Sequence, residues 1–145
     1  MKTACLFAIF AVLISACAAV RPGPEHACYH RHEAEEQDIG YCAVLQSGDM
    51  LYFSGTDAPG PMPDAIRAVY ARLQKSLAER GLTFADVVKE TVYTTDLDAF
   101  TANAGLRKPF YGGTYPAATW VQVQRLYDPA YVLEVELVAR VPEAR

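Results

Sequence analysis

Two stretches near the C-terminal end, Tyr115 to Val123 and Tyr131 to Ala139, alternate side chains with a period of two. That period belongs to a strand with one face buried and one face not. Pro129, in the short segment between them, cannot donate to a central ladder and marks a turn, so the two strands are expected to lie side by side. Glu134 and Glu136 stand at i and i+2 of the second strand and share a face. A carboxylate in such a strand must be paired, solvated or functional. Upstream, Tyr41 to Gln46 and Met50 to Ser54 flank Ser47, Gly48 and Asp49 and read as a β-hairpin. Ser54 and Gly55 then end the second strand, where the backbone must bend or approach something closely.

Helical spacing takes over after a loop rich in Pro and Gly, from Thr56 to Met62. Ile66, Val69, Tyr70, Leu73 and Leu77 form one apolar stripe, with Arg67, Arg72, Lys75 and Glu79 largely off it. Pro63 and Asp64 suit its first turn, and Gly81 suits its end. Val87 to Thr95 is rich in β-branched and aromatic residues and reads as a strand. Asp96 caps a second helix from about Leu97 to Lys108, which Pro109 ends or kinks. The order β-β-α-β-α-β-β, with both helices on one face of a sheet, is an α+β layer architecture. Its other face would carry Tyr52, Tyr93, Trp120 and apolar groups of the Leu133 type, more than a solvated face should, so oligomerisation is expected to cover it.

The N-terminus changes the picture. Lys2 precedes an apolar run from Ala4 to Val20, shorter than the roughly 20 residues that a spanning helix needs. Ile14, Ser15, Ala16 and Cys17 fit a bacterial lipobox, in which Cys17 is acylated; ordinary cleavage after Ala16 or Ala18 is the alternative, and both export the domain. Residues 1–16 are therefore read as a lipoprotein-type signal peptide, 17–38 as a tether rich in Pro, Gly, His and Glu, and 39–142 as the folded domain. The expected place is a bacterial membrane, facing the periplasm or the cell exterior. Cys28 and Cys42 remain in the exported part, either as a disulfide or as two free thiols. His26, Cys28, His30 and His32 alternate, but the spacing matches no closed zinc motif, and neither a metal nor another cofactor is expected. The net charge of −4, or −5 once Lys2 leaves, disfavours a nucleic-acid partner.

Several collinear motifs carry a resemblance. Pro116, Ala117, Ala118 and Thr119 precede a strand that leads into Leu133-Glu134-Val135-Glu136-Leu137-Val138-Ala139. Before them come Met50 to Gly55, Gly81 to Tyr93, and Asp96 to Phe100 with Asn103. Together, from about Ile39 to Arg140, they resemble the RidA/YjgF family, small trimeric proteins known for hydrolysing reactive imines and enamines. The resemblance implies a single mixed sheet of the RidA/chorismate-mutase type and a homotrimer with small-molecule clefts between subunits.

It also implies site residues. Glu134 falls on the Glu that positions the attacking water, Tyr41 on the Tyr of the first strand, and Ser54 on the Ser of the Ser-Gly pair. Ala118 stands where the active deaminases carry the Arg that grips the substrate carboxylate, and nothing replaces a guanidinium fork conservatively. Thr119 and Trp120 are expected beside the ligand, Trp120 as an aromatic wall; its alternative is packing in the core or at a subunit interface. For Glu134 the alternative is a solvated carboxylate or one paired with Arg125 or Lys89. The expected function is hydrolysis of an imine or enamine other than 2-iminobutanoate or 2-iminopropanoate. The other reading is a non-catalytic, trimeric small-molecule-binding lipoprotein. Nucleic-acid cleavage, claimed for some relatives, is disfavoured by the negative charge and the anchor.

Overall fold

The computed structural model describes residues 26–142. The lipobox, with Cys17, lies outside the described residues. Six strands form one mixed sheet: β1 (His26–Tyr29), β2 (Val44–Ser47), β3 (Met50–Pro59), β4 (Val87–Thr94), β5 (Ala117–Gln122) and β6 (Tyr131–Arg140), in the spatial order β1-β2-β3-β6-β4-β5. Four helices accompany them: α1 (Glu33–Asp38), α2 (Met62–Ala78), α3 (Leu97–Asn103) and α4 (Lys108–Tyr111). The helical side of the sheet holds the core, where Ile66, Val69, Tyr70, Leu73 and Leu77 of α2 are fully buried. They meet Phe53, Val92, Leu133, Val135 and Leu137 of the strands.

The two C-terminal strands are not neighbours. β5 pairs with β4, in parallel, and β6 lies between β3 and β4, antiparallel to both. The chain from β4 through α3 to β5 is a β-α-β crossover, which sets consecutive strands parallel. β6 then takes the central slot, where both its edges are paired and its Leu133, Val135, Leu137 and Ala139 are buried. β3 also continues past Ser54 and Gly55 to Pro59, because a register shift between Phe53 and Thr56 lets the ladder resume after an irregular step. The second helix is divided: α3 is capped by Asp96, whose Oδ1 accepts the Ala99 N–H at 2.8 Å, a 3-10 turn follows, and Pro109 sits in the first turn of α4.

The segment read as tether is structured from His26 onward. β1 adds to the sheet edge through β2, and Cys28 is bonded to Cys42 with their Cα atoms 5.8 Å apart. Buried Glu36 of α1 accepts the N–H groups of Arg31 (3.0 Å) and His32 (3.1 Å) and meets His30 Nδ1 at 2.9 Å. Burial opposes the charge on Glu36, but these partners outweigh it and hold its carboxyl below the usual range. Composition alone hides such a segment, because its order comes from one covalent bridge and one buried carboxylate instead of an apolar stripe.

Candidate functional site

Glu134 sits in the middle of β6 with Asp57 of β3 on one side and Tyr93 of β4 on the other. The alternation of β6 turns Leu133 and Val135 to the helices and Glu134 and Glu136 to the opposite face. The two carboxylates differ in their surroundings. Glu136 accepts the Tyr93 hydroxyl at 3.2 Å. Glu134 lies over Gly55, where a Cβ would overlap its Oε1 and stand 2.5 Å from its Cδ. Gly55 is therefore the close approach that the sequence points to, and what approaches is the Glu134 carboxylate. Burial, then the charges of Asp57 and Glu136, push the Glu134 pKa up. Asp57 is also pushed up by burial, against the pull of Arg72 and Arg31.

A cleft of about 330 Å³ opens over this carboxylate, bounded by Tyr41, Gly55, Asp57, Tyr127 and Glu134 with Arg31 from the segment before α1. Tyr41 is placed there by the turn between α1 and β2. Its hydroxyl points to the Gly55 carbonyl at 3.4 Å, and burial raises its pKa against the pull of Ser54 and Arg31, so it stays a protonated donor. The Ser54 hydroxyl donates to the Cys42 carbonyl at 2.7 Å and ties β3 to the residue after Tyr41. The expected partners Lys89 and Arg125 are engaged elsewhere: Lys89 Nζ donates to Thr119 Oγ1 at 2.6 Å, and Arg125 donates to the carbonyls of Leu126 and Tyr127.

Ala118, Thr119 and Trp120 are not in this cleft within one chain. β5 is an edge strand, two strands away from β6. Ala118 and Trp120 are registered with Glu90 and Val92, on the helical side of the sheet, opposite to Glu134. Trp120 packs edge-on against Phe100 at 5.1 Å and donates Nε1–H to Glu90 Oε1 at 3.0 Å. Trp120 and Leu133, expected on the open face, thus both belong to the helical side, because the true registers of β5 and β6 put those positions there. Tyr52 and Tyr93 do face the open side.

Glu90 is a group that sequence reading passed over. Its side chain is fully buried and accepts the hydroxyls of Tyr70 (2.7 Å) and Tyr111 (2.6 Å) as well as Trp120, with Arg107 Nη1 at 3.4 Å. Burial and the Glu90 charge push both tyrosine hydroxyls far above their usual range. The period of β4 carries the signal, since Glu90 and Val92 share a parity and so a buried face. Asp57, Tyr127 and Arg31 were also passed over; only the folded chain brings them to Glu134.

RutC family protein YjgH of Escherichia coli is 28% identical over 132 residues, spanning 86% of this chain and 95% of that protein. The 2-iminobutanoate/2-iminopropanoate deaminase of Dermatophagoides farinae is 27% identical over 112 residues, 70% of this chain and 87% of its own. Among solved structures, Rv2704 of Mycobacterium tuberculosis, a member of the YjgF/YER057c/UK114 family, superposes with a TM-score of 0.72 at 24% identity, covering 81% of this chain and 100% of its own. The Endoribonuclease L-PSP family matches residues 33–141, from the start of α1 to the end of β6. A match of that extent, on a single mixed sheet with helices on one face, means that the chain belongs to the Endoribonuclease L-PSP (RidA/YjgF) family.

Proposed function

We propose that the chain is an exported, trimeric hydrolase of an imine or enamine that lacks the α-carboxylate of 2-iminopropanoate, with Glu134 as its acid–base residue. The single observation that carries this reading is the Glu134 carboxylate, held over Gly55 in a cleft with Tyr41 and with its pKa raised. A carboxyl whose pKa is moved toward neutrality takes a proton and returns it at comparable cost. In the proposed reaction Glu134 takes a proton from water as the oxygen adds to the C=N carbon. The nitrogen is protonated, and the resulting amino alcohol expels ammonia to leave a carbonyl. Water and the imine enter; ammonia and the carbonyl compound leave. Tyr41 supports the reading as a neutral donor on the cleft wall.

Ala118 restricts the substrate. With no guanidinium on β5, an α-carboxylate loses a charge-assisted bidentate contact worth a few kcal/mol, a hundredfold or more in affinity. In the proposed trimer the exposed β5 edge of one subunit completes the cleft of the next. The second reading, a binding protein without turnover, is favoured by the same Ala118. Carbonyl release from imines made in situ separates the readings. An amine oxidase supplies imines without a carboxylate, and an amino-acid oxidase supplies 2-iminopropanoate. Acceleration of the first set only, lost in Glu134→Gln, is expected. No acceleration of any imine would leave the binding protein, and robust turnover of 2-iminopropanoate would refute the restriction assigned to Ala118. Ala118→Arg is expected to raise activity on 2-iminopropanoate.

A further inference from the structure

The segment before α1 is secured by more than its length requires. Cys28 is covalently bound to Cys42, β1 is paired with β2, Glu36 clamps residues 30–32, and the Arg80 guanidinium lies 4.0 Å above the Tyr29 ring. Residues 26–32 precede the part of the chain that matches the family. What they build is a second concavity, of about 430 Å³, against the exposed side of α2. Arg31 and His32 line it from one side; Arg72, Lys75, Ser76 and Glu79 line it from the other, at i, i+3, i+4 and i+7 of one helix face. Three permanent cations thus surround one hollow whose only carboxylate on the wall is Glu79, in a chain whose net charge is −4. His30 reaches it too but is bound to Glu36. Among the described residues, the side chains of Arg72 and Lys75 make no hydrogen bond or ion pair, and Arg31 makes one side-chain hydrogen bond, from Nη2 to Thr56 Oγ1 at 3.2 Å. Asp57, near Arg31 and Arg72, is the other carboxyl that feels these cations.

We propose that this hollow between the β1–α1 segment and α2 binds a phosphate-class anion, the phosphate or pyrophosphate group of another molecule. A concave wall with a clear excess of one sign focuses its field and concentrates counter-ions of the opposite sign. The donor set selects within anions: two guanidinium forks, one ammonium and the Ser76 hydroxyl offer more donors than a single carboxylate accepts, and they match the several oxygens of a phosphate dianion. The disulfide and the Glu36 clamp preorganise Arg31, so little ordering cost is left for the ligand. The site stands apart from the chemistry assigned to Glu134, although Arg31 and His32 border both hollows.

Titration calorimetry of the full-length protein with inorganic pyrophosphate at low salt tests the site. Binding is expected, weakening steeply as salt is added. Arg72→Gln with Lys75→Gln should weaken it tenfold or more, Arg31→Gln should weaken it markedly, and Glu134→Gln should leave it within twofold. Both α2 side chains are exposed, so the double variant should melt as the wild type does. Arg67→Gln with Lys108→Gln removes the same charge elsewhere and should change little. Absent binding, equal weakening by that control pair, or loss in Glu134→Gln would each overturn the proposal. Cosedimentation with phosphatidylglycerol vesicles, competed by pyrophosphate and lost in the double variant, would support the site with a lipid headgroup as the source. Pyrophosphate binding without cosedimentation would support it with a soluble ligand.

Discussion

Gly55→Ala isolates the Glu134 carboxylate from the stability of the fold. The φ angle of Gly55 is not in the left-handed region, so alanine meets no backbone strain there. A Cβ at this position would stand 2.5 Å from Glu134 Cδ and 2.8 Å from its Cγ, and reaching ordinary contact requires the carboxyl end to move by about 1 Å or more. The obstacle is the end of a flexible side chain on a half-open face, so Glu134 should yield and the backbone should not. An off-rotamer or re-aimed side chain costs about 0.5–1.5 kcal/mol. Replacing glycine within a strand returns about 0.5–1 kcal/mol. The net change should stay within about 1 kcal/mol, a few degrees in the melting temperature. The site should respond far more. A displacement of about 1 Å in a reacting group costs about a hundredfold in rate, and a carboxyl pushed toward solvent loses the burial that raises its pKa. Carbon-13 NMR of the Glu134 carboxyl against pH should show its midpoint falling toward the ordinary range, alongside a nearly unchanged melt. A variant that melts more than about 10 °C lower, or one in which Glu134 titrates as before, would refute the reasoning.

Other consequences can be checked in the same preparations. A carboxyl with a raised folded pKa binds its proton more tightly in the folded state, so its contribution is fullest below the unfolded pKa and is lost as pH rises through the folded pKa. Glu134→Gln should therefore raise the melting temperature near pH 7 and lose that gain near pH 4; a variant equally stabilised at both would contradict this sign. Tyr111→Phe removes a 2.6 Å hydroxyl donor from buried Glu90 and should cost about 1.5–3 kcal/mol in urea unfolding, with no effect expected from the exposed Tyr127→Phe. Reducing Cys28–Cys42, which closes a separation of 14 residues, should cost about 3 kcal/mol, and an unchanged urea midpoint would mean that the bridge adds nothing to the ladder of β1. Palmitate-analogue labelling should appear in the wild type and vanish in Cys17→Ser, and sedimentation at micromolar concentration should give a trimer; an unlabelled wild type or a monomer would remove the anchor or the shared cleft.

The chain's local patterns were enough to locate most helices and strands, though not to assign the faces of Trp120 and Leu133. The stripe of Ile66, Val69, Tyr70, Leu73 and Leu77 predicts α2 and its buried side, and the alternation of β6 separates Leu133 and Val135 from Glu134 and Glu136. Such patterns record which face of each element avoids water, and that depends only on residues three or four apart in a helix and two apart in a strand. The collinear motifs add the family, and with it the expectation that Glu134 and Tyr41 share a site. Strand order is different in kind. Whether β6 lies beside β5 or between β3 and β4 is decided by crossover geometry and by pairing between residues up to 90 positions apart, as in Met50 with Arg140. The same long-range pairing sets Glu90 under Trp120, Asp57 beside Glu134 and Gly55 beneath its carboxylate. The ordering of residues 26–38 depends on Cys28 meeting Cys42 and on Glu36 turning back to the chain before it, contacts that composition does not encode. Periodicity specifies what each element must bury. Only the folded chain decides which buried or half-buried charges then face one another.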